Sequence, residues 1–136
     1  NMALIPTLSI KDTTSFSDEI NFSVTDSLTV TAPAQGISTT VVVSNVGENN
    51  IVVPAQGADN VTYFYCRHTG LTGADATTAS TVPVDVEETG AAAFARLGAG
   101  EWMFIPFCHH GGDVGIQFQV TTATNVKMEY AFWRKA

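Results

Sequence analysis

Five side chains in this sequence have the chemistry to hold a metal or to attack an acyl group: Cys66, His68, Cys108, His109 and His110. Thiolates and imidazoles are the ligands zinc prefers, four at a time in a tetrahedron. If the end of a strand at Tyr63–Arg67 lies near the end of another at Phe107–His110, these groups meet. Cys108 and His109 are adjacent and point to opposite faces of a regular strand, so only one of them joins a given site. The candidate metal set is therefore Cys66, His68, Cys108 and His110. Its spacing matches no familiar zinc module. The favoured reading is two core cysteines and three loop-end histidines beside glycines, with no metal and no cofactor.

Other constellations are weaker still. Cys108 or Cys66 as a nucleophile needs His109 or His110 within hydrogen-bond reach, and neighbours in one strand do not reach each other. Glu87 and Glu88 adjoin in what reads as an acidic turn, so they do not flank a sugar bond from two sides. Asp75, Asp85 and Asp113 carry no ordered calcium-loop pattern. The sequence spells out no reaction, and the expectation is a non-enzymatic protein.

The elements that would position these residues are strands. The organising stretch is Phe94–Phe107, FARLGAGEWMFIPF, which reads as strand, glycine turn, strand. Its second arm is apolar on both alternating faces, with Trp102 and Phe104 on one side and Met103, Ile105 and Phe107 on the other. Such a strand is central in a sheet or shared between a core and a partner surface. Pro106 belongs at an edge, a bulge or a strand end, because it donates no ladder hydrogen bond. Met2–Ile10 reads as an extended arm interrupted by Pro6. Ile20–Thr31 alternates cleanly but breaks parity at Asp26, so a break falls at Thr25–Ser27. Ala32–Gly36 reads as the close of that strand. Further strands are expected at Ile37–Val46, Ile51–Val53, Val61–Arg67, Thr81–Val86, Val114–Thr122 and Val126–Trp133. Lys11–Glu19, Gly47–Asn50, Thr69–Ser80 and Thr122–Asn125 read as turns or loops. No helical period persists. The spacing predicts an all-β, single-domain antiparallel β-sandwich of jelly-roll or other Greek-key type over residues 1–136.

Composition bounds the partners. The chain has 136 residues, six basic and thirteen acidic, for a net charge of −7 and a pI near 4.6. A polyanion repels polyanions, so nucleic acid is not an expected partner. No apolar run approaches the roughly 20 residues of a membrane helix. Asn1 before Met2 reads as a tag remnant, and no secretion signal is visible, so synthesis in a host cytoplasm is expected. Charged residues are only 14% of the chain, well below the roughly 25% of an average domain. Thr, Ser, Asn and Gln take their place.

RLGAGEWMFIPF, together with the closing aromatic strand MEYAFW, resembles small all-β accessory virion proteins of tailed bacteriophages. The resemblance covers about the last third of the chain, as a style rather than a motif. It implies a capsid decoration protein or head fibre, located in the virion. Its partners would be itself, as a trimer or higher oligomer, and a major capsid or other virion protein. The interface candidates are Leu4, Ile5 and Pro6 from the arm, with Trp102, Phe104 and Trp133. The rival reading is a carbohydrate-binding β-sandwich module, in which Tyr63, Tyr65, Trp102 and Trp133 stack on a glycan beside Asn, Asp or Gln.

Overall fold

The computed structural model describes residues 2–13, 20–42, 50–73, 75, 77–122 and 125–136. The expected turn at Gly47–Asn50, the end of the strand expected before it, the polar stretch 14–19 and the residues 123–124 fall wholly or partly outside them.

All the regular structure among these residues is strand: β1 (Met2–Leu4), β2 (Thr7–Lys11), β3 (Asn21–Thr25), β4 (Leu28–Val42), β5 (Ile51–Val53), β6 (Val61–His68), β7 (Val84–Glu88), β8 (Ala93–Leu97), β9 (Trp102–Cys108), β10 (Ile116–Val120) and β11 (Val126–Lys135). A five-stranded sheet has the order β1-β4-β11-β6-β9. A four-stranded sheet has the order β5-β10-β7-β8, and β2 pairs with β3 alone. Every pairing is antiparallel. Numbered from β4, the two large sheets run 1-8-3-6 and 2-7-4-5. That is the two-Greek-key arrangement of a jelly roll, so the expected all-β sandwich is the observed fold.

Alternation builds the core. On β6, Phe64, Cys66 and His68 point inward, while Val61, Tyr63, Tyr65 and Arg67 point outward. On β9, Met103, Ile105 and Phe107 point inward, paired across the ladder with Cys66, Phe64 and Thr62. Facing them from the other sheet are Val84, Val86, Ile116, Phe118 and Val120, all buried. Phe118 touches Phe64 at 6.2 Å and Tyr130 at 6.4 Å between ring centroids. The space between the sheets is therefore filled by interlocking rings and β-branched side chains.

The chain departs from the sequence expectations at four places. First, Phe94–Phe107 is not a hairpin. β8 pairs with β7 in one sheet and β9 pairs with β6 in the other. The turn at Gly98–Glu101 docks on the end of β6 instead: Gly100 N–H donates to the His68 carbonyl, and His68 N–H to the Glu101 carbonyl. Gly100 has φ +82°, which a side chain would resist. The turn thus hands the chain from one layer to the other.

Second, Ala32–Gly36 does not end a strand. β4 runs through it because its ladder with β11 slips twice, beside Trp133/Arg134 and beside Tyr130/Phe132. Pro33 and Gly36 sit in those slips, where a missing donor or side chain costs least.

Third, Glu87 and Glu88 lie in β7 rather than in a turn. Glu87 is buried and accepts a 2.6 Å hydrogen bond from Gln117 Nε2. The turn falls just after them, where Ala91 N–H donates to the Glu88 carbonyl. Fourth, the described part of Thr69–Ser80 is pinned rather than free. Leu71 bridges Ala79, and the Thr69 hydroxyl and the Leu71 carbonyl bond the backbone of Lys127.

Gly115 is held by contact. A Cβ there would run into the backbone of Val53, Pro54 and Ala55. We expect Gly115→Ala and Phe118→Ala both to destabilise the fold. Truncating the ring should cost about 3–5 kcal/mol, read as a fall of about 10 °C or more in Tm. An unchanged Tm for either variant would contradict this packing.

Candidate interaction surface

The five cysteine and histidine side chains do not converge. Cys66 and His68 share the inner face of β6 and are fully buried. Cys108 is exposed on the outer face of β9, opposite Val61, at the other end of the ladder. His110 is exposed, 3.7 Å from Asp59. Among the described residues, no three His, Cys, Asp or Glu side chains stand together as metal ligands do.

Two of the three expected loop-end histidines belong to the interior, and one of the two expected core cysteines does not. The His68 ring bridges two segments: Nε2 donates to the Val82 carbonyl at 2.8 Å, and Nδ1 accepts from Gly70 N–H at 2.9 Å. In His109, Nδ1 donates to the Val114 carbonyl at 2.8 Å, and Nε2 accepts from the Thr62 hydroxyl at 2.7 Å. A hydroxyl on an imidazole has the outline of a nucleophile and its base. Here both side chains are buried, and the second ring nitrogen holds a backbone carbonyl rather than a carboxylate. The bonds join the β9–β10 turn to β6.

The carboxylates are also structural. Asp85 takes a two-point hydrogen bond from Arg96 across β7 and β8. Asp75 accepts from the backbone and hydroxyls of Thr77 and Thr78, which holds its carboxyl far below the usual range. Asp113 is exposed in the β9–β10 turn.

A larger feature lies on the outer face of the five-stranded sheet. Alternation that sends Ile105 and Phe107 inward sends Trp102 and Phe104 outward, beside Tyr63, Tyr65 and Trp133. Tyr63 stacks on Phe104 at 6.1 Å with planes 7° apart. The N-terminal segment lies along this aromatic row. Leu4, Ile5 and Pro6 join Ile37, Tyr65, Phe104 and Trp133 around a groove of about 230 Å³. Five of the six residues expected at an interface thus line one groove. Trp102 is not among them. It stands two residues along from Phe104 on the same face, 54% exposed.

The β2–β3 ribbon continues the surface. In its register Leu8 faces Val24 and Ile10 faces Phe22, which puts all four on one side. Thr7, Ser9, Lys11 and their partners occupy the other. All ten ribbon residues are exposed. The apolar four remain 37–56% accessible, although strand alternation in a sequence normally marks a covered face. At the ribbon's root, Pro6, Leu8, Val24, Thr25 and Asp26 meet Phe104 around a second cleft of about 440 Å³. Leu8 and Ile10 belong to the arm expected at an interface, whereas Ile37, Phe22 and Val24 read in the sequence as ordinary strand residues. The signal was present: Leu8/Ile10 and Phe22/Val24 are two matched pairs of apolar residues flanking a polar stretch of sequence.

Tyr65 sits at the rim, its hydroxyl donating 2.6 Å to Glu129. Burial and that carboxylate push the phenol up to about 12. No family model, no curated protein and no solved structure matches the chain.

Two outcomes test this geometry. A thiol reagent should label native protein once, at Cys108, and a second time only on unfolding, since Cys66 is sealed in the core. Rapid double labelling would contradict it. Burial also pushes the Cys66 thiol from 9.0 up to about 12. Between those values the unfolded chain loses this proton while the folded chain keeps it. Folding stability is therefore full below pH 9 and falls as pH rises towards 12. Denaturant titrations should show that fall, and Cys66→Ala should flatten its first part.

Proposed function

We propose that this chain is a non-enzymatic structural component of a bacteriophage particle, of the decoration or fibre type, acting through subunit and capsid contacts. One observation carries the assembly role: an apolar surface that runs from the ribbon across the aromatic outer face of the sheet. Patches of a few hundred Å² are ordinary on monomers, and larger ones mark interaction sites. Among the described residues, Asp26 is the one charged residue that lines its two clefts, in keeping with the depletion of charge at interface centres. The jelly roll suits the role, and capsid, lectin and cupin domains share that fold. The virion assignment rests on the resemblance of RLGAGEWMFIPF and MEYAFW to phage accessory proteins.

The glycan reading draws less support from the surface. Tyr63 is stacked on Phe104 and the Tyr65 hydroxyl is committed to Glu129. Light scattering after size exclusion at micromolar concentration should give a closed oligomer, trimer or higher. That oligomer should bind the capsid shell of the source phage. Deleting residues 2–11 should abolish both. A monomer that ignores capsid shells and binds an immobilised glycan panel would overturn the proposal.

A further inference from the structure

We propose that the cleft at the root of the β2–β3 ribbon takes a lysine or arginine side chain from a basic partner protein. The Asp26 carboxylate meets the cation, and Phe104 with the apolar walls holds its stem. The inference rests on the assembly role proposed above and names the chemistry of the partner at one point of that surface.

Asp26 is the residue that breaks the alternation of Ile20–Thr31. Phe22, Val24 and Asp26 share one parity, so a charge stands where the pattern calls for an apolar side chain. The ribbon's ladder reaches it, since Asp26 N–H donates to the Pro6 carbonyl at 3.3 Å. Its neighbours around the cleft are Pro6, Leu8, Val24, Thr25 and Phe104. Covering that carboxylate with apolar groups alone would strip its water and replace it with nothing. A cation arriving with the cover removes the penalty. One carboxylate oxygen accepts from Ser27 N–H at 2.8 Å. Among the described residues, the ion pairs join Arg96 to Asp85 and His110 to Asp59, and neither includes Asp26.

The walls suit a long cationic side chain. Lysine and arginine lay their methylene stems on apolar surface and keep the charged head in a polar place. Pro6, Leu8 and Val24 supply that surface. Phe104, half-buried and stacked with Tyr63, supplies an aromatic ring for the cation. The cleft holds about 440 Å³, within the range of roughly 300–1,000 Å³ that ligand sites span. A small free cation would leave Ile5, Ile10, Phe22 and Ile37 exposed beyond the cleft, whereas a protein segment covers them too. The net charge of −7 attracts a basic partner and steers its approach. A second copy carries that same charge, so the field at this cleft favours a different protein.

The test uses the full chain. Asp26→Asn removes the charge and keeps an acceptor for Ser27 N–H, so Tm and assembled mass should match the wild-type chain. Its affinity for capsid shells of the source phage should fall about tenfold or more at low salt. Raising the salt should weaken the wild-type chain and bring the two affinities together. By NMR, N-acetyl-lysine amide and N-acetyl-arginine amide should shift the backbone signals of Leu8, Val24, Thr25 and Phe104 in the wild-type chain and not in Asp26→Asn. The uncharged N-acetyl-norleucine amide should shift them in neither. Norleucine amide acting as lysine amide does would overturn the inference, because the cleft would then select apolar groups and not cations. Asp26→Asn binding shells as tightly as the wild-type chain would overturn it and leave the assembly role standing. A fall in assembled mass would put a second copy in the cleft, and would overturn the partner named here. A wild-type chain that binds no shell would overturn both.

Discussion

A strand can bury only half of its side chains in one core, and β9 has apolar residues on both faces. Ile105 and Phe107 enter the sandwich, so Trp102 and Phe104 must leave it. The same parity on β6 and β11 turns Tyr63, Tyr65 and Trp133 outward. The outer sheet face is therefore aromatic as a direct consequence of how the inner face is filled. Shifting the register by one residue would exchange the two sets and bring Arg67 and Glu129 into the core. The groove and the core are two sides of one ladder, fixed by one register.

The N-terminal segment turns that face into a site. β1 pairs with the start of β4 and anchors the segment at the sheet edge. Ile5 and Pro6 then leave the ladder, cross the rim of the aromatic row and lead into β2. Pro6 breaks the strand where a donor would be needed, and its carbonyl accepts from Asp26 N–H at 3.3 Å. That bond ties the base of the ribbon to the turn between β3 and β4. The ribbon springs from the rim with Leu8 and Val24 beside Phe104 at its root and its four apolar side chains 37–56% exposed, and the proposed assembly role rests on that surface.

The buried polar groups show how the body is kept rigid. Buried polar atoms are costly unless paired. His68 and His109 each donate from one nitrogen to a carbonyl and accept a hydrogen bond on the other, from an amide or a hydroxyl. Each is a spacer that locks a connecting segment to β6. Glu87 with Gln117 does the same between β7 and β10. These residues looked like chemistry in the sequence because their types are reactive. Their partners lie between five and 47 residues away in the chain, with Gly70 two away as the local exception. One-dimensional spacing could not separate a hydrogen-bonded spacer from a ligand.

The sequence alone determined the strands and their faces. Period-two alternation is local, so Phe64 with Cys66 and Met103 with Ile105 were assigned to one face, and the parity break at Asp26 to a real interruption. It also determined the fold class, because short strands at even spacing with turn signals admit few architectures. Only the tertiary structure decided which strands pair. Leu97 and Trp102 are five residues apart, yet they belong to different sheets, since the turn between them bonds to His68 rather than closing a ladder. It decided the fate of the histidines, which depends on carbonyls brought from other strands. It also decided that Leu8, Ile10, Phe22 and Val24 stay uncovered. Alternation shows that a strand has an apolar side; whether anything packs against it is set by distant parts of the chain.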